Sequence, residues 1–410
     1  MEASRRHKQQ ASSGRSADPR PRGADRQPAT IEQPEGPREI SDAPWPSELD
    51  LRTRLIVSAA AATDIPVRTA LASIMFSASL QWGMTPGAWR ERGRLRFYAE
   101  LAQTRDPELV FPKPRDGVAV KPSRPGRLSF RAPGGSVSLL AFDSPYVAAN
   151  PALLEEYAHH TRNGKAWAQH WRHDDGPRPT LCVIHGFGAS PYILNSAFFA
   201  LPWLYGKGYD VLLYLLPFHG PRRDLLSVIN GSGLFAHGPS HFNEAMLQAV
   251  HDFRIFLDHL EAGGVSQFGV TGLSLGGYVS ALLAAVEPRL QVAVPNAPVT
   301  SLPQLIPDYF PANVGVLISS LLHRIPLREA EDSIALHSPL NYRPLLPKDR
   351  LMIIGGLGDR LTPPEQTRLL WEHWGHPRLH WYPGNHLLHV NRGAYLREMR
   401  RFMSGAGFGA

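Results

Sequence analysis

The turn Gly272-Leu273-Ser274-Leu275-Gly276 sets a serine between two glycines, where the apolar run Phe268 to Thr271 gives way to the helical segment Tyr278 to Val286. A serine at such a strand-to-helix corner reads as a nucleophile elbow: the sharp turn crowds the backbone, glycines relieve the crowding, and the hydroxyl is pushed out above the sheet edge. The helix N-terminus behind it offers backbone N–H groups and a positive dipole end where an oxyanion would develop. The chemistry this permits is nucleophilic acyl transfer. A hydroxyl is a poor nucleophile until an imidazole takes its proton and a carboxylate fixes that imidazole's tautomer, so a histidine and an acid must join it. Gly-x-Ser-x-Gly also arises by chance as a glycine-rich turn, and the strand-to-helix setting is what gives it weight.

Other reactive residue types carry less. Cys182 lies in an apolar run and reads as a buried core thiol, and as the single cysteine it forms no intrachain disulfide. His219, His237 and His241 match no single helix face, and no cysteine or acidic cluster joins them in sequence, so neither a metal nor a cofactor is expected. Arg222 and Arg223 fit either an anionic substrate group or a solvated loop.

The elements that would position this chemistry alternate between strand and helix. Strand candidates are Thr180 to Ile184, Asp210 to Leu216, Phe268 to Thr271, Gln291 to Pro295, Leu351 to Gly355 and Arg378 to Tyr382. Continuous apolar runs separated by helical segments are what a parallel sheet covered on both faces requires. Met246, Val250, Phe253, Leu257 and Leu260 form a helical stripe, with Ser240 as the expected N-cap and Gly263-Gly264 as the stop. Thr362-Pro363-Pro364-Glu365 has capping-box spacing and opens a helix expected to reach about Trp374. Between Arg127 and Ser144, Leu128-Phe130 and Val137-Leu139-Ala141 flank Pro133-Gly134-Gly135 and predict a β-hairpin.

With 410 residues and 43% hydrophobic content the chain can bury a sizeable core in one large domain or two average ones. Its net charge of +7 rests almost wholly on arginine, with lysine only at 8, 113, 121, 165, 207 and 348. Arg, Ala, Gly and Pro are favoured together, the mark of a biased codon supply, so no nucleic-acid partner is inferred from the charge. Residues 1–48 carry almost no large apolar side chain and are expected to be a disordered basic tail. The start Met-Glu-Ala-Ser-Arg-Arg-His-Lys precedes no apolar stretch, so a cytoplasmic location is expected. Residues 49–126 read as a helical extension: in the apolar segment Leu51 to Trp82, Asp64, Pro66 and Arg68 are expected to interrupt it below membrane-spanning length, leaving a pair of buried or lid-like helices. Contact of these helices with a membrane surface is the competing reading.

From about Arg127 to Met403 the chain resembles the α/β-hydrolase superfamily. The resemblance implies an α/β fold over residues 127–410, a mostly parallel central sheet with helices on both faces and a helical cap. His185-Gly186-Phe187-Gly188, directly after a strand, is similar to the superfamily's oxyanion loop, which implies Phe187 and Leu275 as the two N–H donors. His185 then braces that loop rather than carrying a proton. The acid should end a late strand, and Leu351 to Asp359 ends in Gly-x-Gly-Asp, which points to Asp359. The base should lie one helix and one strand later, where Tyr382-Pro383-Gly384-Asn385-His386 ends in a Gly-x-His turn; His386 fits, with His389 its near competitor. The order Ser274, Asp359, His386 is that of this superfamily. His219 replaces part of an Asp-x-x-Gly-x-Gly turn common among relatives and, with His185, is placed as a pocket residue. The insertion 301–347 implies a cap whose apolar segment Val314 to Leu322 fits a lipophilic substrate or simple packing onto the body. The activity this resemblance implies is that of a serine hydrolase acting on a small-molecule ester or thioester. An acyltransferase on the same triad and a non-catalytic binding protein on the same scaffold are the alternatives.

Overall fold

The apolar runs pair into one sheet of nine strands: β1 (Lys121–Ser123), β2 (Gly135–Asp143), β3 (Lys165–His173), β4 (Thr180–Ile184), β5 (Asp210–Leu215), β6 (Phe268–Leu273), β7 (Leu290–Asn296), β8 (Met352–Gly356) and β9 (Arg378–Tyr382). The order is β1-β2-β3-β5-β4-β6-β7-β8-β9. Strands β4 to β9 run parallel to one another, with pairs such as Thr180↔Asp210 and Thr180↔Phe268 and one register shift between β6 and β7 at Phe268/Gly269, while β1, β2 and β3 pair antiparallel. The computed structural model describes residues 49–409 apart from 127, 128, 189, 190, 226 and 228, so the tail expected over residues 1–48 lies outside the described residues.

Alternation along the strands splits the core between the two faces. Leu181, Val183, Val211, Leu213, Met352 and Ile354 share one apolar cluster with Met399 and Phe402 of the last helix, Arg392–Gly405. On the other face Tyr214 of β5 meets Phe253 and Phe256 edge-on and donates its hydroxyl to Ala249 O at 3.0 Å. Those partners belong to the helix Pro239–Ala262, whose stripe was legible in sequence. Its N-cap is Gly238, at φ 87°, rather than Ser240; the Ser240 amide is taken at 2.6 Å by the carboxylate of Glu91, a buried residue from a distant helix.

Three expectations change. The hairpin between 127 and 144 does not form as predicted: residues 129 and 130 are not strand, residues 127 and 128 lie outside the described set, and β2 pairs instead with β1 and β3. Strand β3 escaped notice because it buries Gln169 and His170 where apolar residues were sought; Gln169 Oε1 is satisfied by Trp171 Nε1 at 2.9 Å and Ser196 Oγ at 3.0 Å. The segment from Leu51 is not a pair of helices but one 33-residue helix, α1 (Leu51–Gly83), capped by Asp50 and continuous through Pro66. By length and composition α1 is long and apolar enough to cross a membrane. Its polar interruptions are docking points: Arg68 Nη1 donates to Arg360 O at 3.3 Å, and Asp64 is buried.

Residues 301–347 lead from β7 to β8 through short helical turns and two longer helices, here named α2 (Ala312–Leu322) and α3 (Leu327–Ile334). Helix α2 lies along α1, and Gly315 lets the two backbones close, since a Cβ there would sit 2.9 Å from the Phe76 ring.

Candidate active site

Ser274 stands between β6 and the helix Leu275–Val286 with φ 59° and ψ −116°, a conformation L-residues rarely adopt and one held here by its surroundings. Its amide donates to Asn296 O at 3.1 Å, and its carbonyl accepts from Tyr278 N at 2.9 Å. The flanking glycines are required by space. A Cβ at Gly276 would meet Ile184 O at 2.1 Å and His185 O at 2.6 Å, and one at Gly272 would meet Gly276 O at 2.5 Å. Gly276→Ala is therefore expected to lower unfolding free energy by about 3 kcal/mol, because rigid backbone rather than a movable side chain must give way. Urea unfolding measures this, and a loss under about 1 kcal/mol would contradict it.

The two other members of the expected set meet at the ends of β8 and β9. Nδ1 of His386 lies 2.7 Å from Asp359 Oδ2, and both side chains are buried. Asp359 Oδ1 accepts from Leu361 N at 2.9 Å and Thr362 N at 2.8 Å, so the carboxylate is fixed in direction. Burial opposes protonation of His386, but the charge and hydrogen bond of Asp359, with the charge of Asp64, outweigh it and raise its pKa above the ordinary 6.5. With Nδ1 committed to Asp359, Nε2 is the nitrogen left for a serine proton. His389 is turned elsewhere: Nε2 lies 3.2 Å from His386 O and Nδ1 3.3 Å from the Tyr395 hydroxyl, and burial followed by repulsion from His386 lowers its pKa to about 4.

Two residues to which the sequence analysis gave other roles, Asp64 as a helix interruption and Thr362 as a helix cap, complete this arrangement. Asp64, from α1, accepts from Arg360 N at 2.9 Å and from His386 N at 3.1 Å through the same Oδ2. One carboxylate thus ties the acid's loop to the base's loop. Neighbouring contacts extend the clamp: Asn385 Nδ2 donates to Ala60 O at 2.7 Å and to Thr63 Oγ1 at 2.6 Å. Thr362 does not cap its helix, which begins at Pro364 with Pro363 as cap; its hydroxyl lies 2.9 Å from Asp359 Oδ2 and 3.0 Å from Ala297 O. The sequence signal for Asp64 was present, since an acid in an apolar helix must find donors if buried.

Phe187, Ser274 and Leu275 line one cavity of about 60 Å³, together with Met75, Tyr278 and Tyr309. Neither the Phe187 nor the Leu275 amide has a backbone acceptor among the described residues. His185 and His219, expected as pocket residues, line neither this cavity nor the larger one beyond it. Both are buried under the loop. His185 Nε2 accepts from Leu216 N at 3.0 Å, and His219 Nε2 accepts from Gly188 N at 3.3 Å, so they brace the turn that carries Phe187. Burial lowers the His185 pKa to about 4 and that of His219 well below its ordinary value, which keeps both neutral as acceptors.

Arg222 follows neither of its two expected readings. It is fully buried, with Nη2 donating to Asp252 Oδ2 at 2.7 Å and to Asn163 O at 2.9 Å. Cys182 is buried in β4. His219 stands apart from His237, which joins His160 and Asp224 in a half-buried group whose ligand atoms lie within 4.8 Å of one another. These three are the described residues able to hold a metal ion. In the structure each imidazole lies 2.9 Å from an Asp224 oxygen.

A nine-stranded, mostly parallel sheet with a serine elbow after one strand and an Asp–His pair after two later ones defines the class: the chain has the α/β-hydrolase fold. No protein-family model matches it. In sequence it is 32% identical over 328 residues to an uncharacterized protein of Mycobacterium tuberculosis, found in strains CDC 1551 and H37Rv, across 76% of this chain and 72% of the relative, and the two belong to one family. Among solved structures it is similar to acetyl xylan esterase 1 from Thermoanaerobacterium sp. JW/SL YS485, with TM-score 0.51, 16% identity, and 78% of this chain and 98% of that one covered. An acetyl xylan esterase from Paenibacillus sp. R4 gives TM-score 0.50 at 15% identity, covering 78% and 99%. At such identities the likeness is one of fold.

Proposed function

We propose that the protein is a serine-dependent acyl hydrolase that cleaves a carboxylic ester or thioester through an acyl-enzyme on Ser274. The observation that carries this is the 2.7 Å contact between His386 Nδ1 and Asp359, which leaves Nε2 as base for a serine held in a strained elbow. Ser274 Oγ attacks the carbonyl carbon while His386 Nε2 takes its proton. The N–H groups of Phe187 and Leu275 hold the oxyanion. His386 then returns the proton to the leaving alcohol or thiol, the bond to the carbonyl breaks, and Ser274 carries the acyl group. Water, deprotonated by His386, attacks the acyl-enzyme, and the acid leaves as Ser274 regains its proton.

Labelling by a small alkyl fluorophosphonate tests the reading. Wild type is expected to be labelled and Ser274→Ala not, with both folded by circular dichroism. Labelling that persists in Ser274→Ala, or none in wild type, would sink the assignment and favour a non-catalytic binding role for the same scaffold.

A further inference from the structure

Beyond the cavity at Ser274 lies a second of about 150 Å³, between α1 and the cap helices α2 and α3. The two share the walls Met75, Phe235, Phe242, Leu302 and Ile306, so they lie side by side. We propose that this inner chamber is an acyl-chain site that selects medium-length fatty acyl groups. The inference rests on the acyl-hydrolase reading and gives that site its substrate class.

The walls state the chemistry. Among the described residues no charged side chain lines either cavity. The polar groups on them are largely committed elsewhere: Tyr278 OH is 2.6 Å from His337 Nδ1, Tyr309 OH donates to Leu361 O at 2.7 Å, and Ser320 Oγ donates to Ile325 O at 2.6 Å. A sugar or peptide acyl group would lose its water here without replacement hydrogen bonds, whereas an alkyl chain loses nothing.

The direction of the substrate is set by the base. His386 lines neither cavity. The leaving group must face His386 to receive its proton, so the chain lodged in the chamber is attached on the acyl side. Size sets the length: an apolar cavity of about 150 Å³ accommodates a six-carbon ring, and the smaller space at Ser274 adds about two carbons, for a chain of roughly eight. Helix α1 supplies Met75, Ser79 and Trp82 to this wall, which ties the segment before the hydrolase body to substrate choice.

The experiment is a p-nitrophenyl ester series from acetate to palmitate on the full chain. In wild type kcat/KM is expected to rise, by up to about fourfold per methylene, to a maximum near octanoate. Val316→Trp and Ala330→Phe fill the inner chamber from α2 and α3 without touching the Ser274 cavity. Both should lose octanoate turnover at least about tenfold while acetate turnover stays within about twofold. Ethyl octanoate should be preferred to octyl acetate. A flat series, an unaltered octanoate rate in both variants, or preference for octyl acetate would overturn the acyl-site assignment while Ser274-dependent fluorophosphonate labelling left the hydrolase reading standing. Loss of that labelling in wild type would instead remove the reading beneath it. Should a variant fail to fold, probe protection in wild type decides: octanoic acid should slow labelling and butyric acid should not, and equal effects would count against the chamber.

Discussion

Asp359→Asn is expected to lower kcat for ester hydrolysis about 10⁴-fold while leaving the protein folded. The contacts of the carboxylate explain why so small a change is so costly. Oδ1 takes two backbone N–H groups, and Oδ2 faces His386 Nδ1 and the Thr362 hydroxyl. An asparagine can keep its oxygen on the Leu361 and Thr362 amides, but its NH₂ then faces Nδ1, which must become an acceptor. The imidazole proton moves to Nε2, and the nitrogen meant to take the serine proton can no longer accept one. The flipped rotamer restores His386 and sets NH₂ against two N–H donors instead. Neither rotamer serves both sides. The pH profile carries a second reading. Asp359 is the first of the two charges that raise the His386 pKa, so in wild type kcat/KM falls as pH drops through a value above 6.5, where the base becomes protonated. Without that charge the residual activity should extend to lower pH. An Asp359→Asn enzyme within about tenfold of wild type would show that this carboxylate is not the imidazole's partner in turnover.

The parts of this site visible in sequence are those whose causes are local. Strands β4 and β9 were read with their observed bounds, and β5 to β8 within one or two residues, because a sheet buried on both faces leaves continuous apolar runs bounded by turn residues. Ser274, Asp359 and His386 stand at the ends of such runs, where the chain must turn toward solvent. What was not visible depends on contacts remote in sequence. His386 and Asp64 are 322 positions apart, and no periodicity or spacing links them. The Asp64, Pro66 and Arg68 cluster was read as breaking a helix because polarity in an apolar run ordinarily does; here the helix stays whole and the polar groups are used against the loop at 360. Thr362 failed as a cap for the same kind of reason: Asp359 and Ala297 competed for its hydroxyl and won. Strand β3 was hidden by its buried Gln169 and His170, polar residues in positions that a pattern of apolar alternation does not admit.

Helix α1 therefore meets the active site twice, as wall and as clamp, and the clamp gives the second large expectation. Asp64→Ala should lower kcat about a hundredfold, with a smaller change in KM for short esters. Its Oδ2 is the acceptor for Arg360 N and His386 N, and both it and His386 are buried. Removing it strands two backbone donors away from water, each costing about 1–3 kcal/mol, and the loops relieve that cost by shifting toward solvent. A displacement of the imidazole by about 1 Å suffices for a loss of this size. A role confined to stability would lower Tm and the amount of active enzyme, yet leave the pH profile of the remaining activity in place. A positioning residue whose charge is felt by the base behaves differently. Because the Asp64 charge raises the His386 pKa, its removal leaves the base unprotonated at lower pH, and the acid limb of kcat/KM should move down in Asp64→Ala and Asp64→Asn alike. Asparagine keeps one acceptor oxygen at the same place, so Asp64→Asn should recover much of the lost kcat while retaining the shifted limb. That split between rate and pH dependence separates geometry from charge. Active-site titration with a fluorophosphonate, followed by pH–rate measurement on titrated enzyme, reads both, and an acid limb unmoved in both variants would remove Asp64 from the electrostatics of the base.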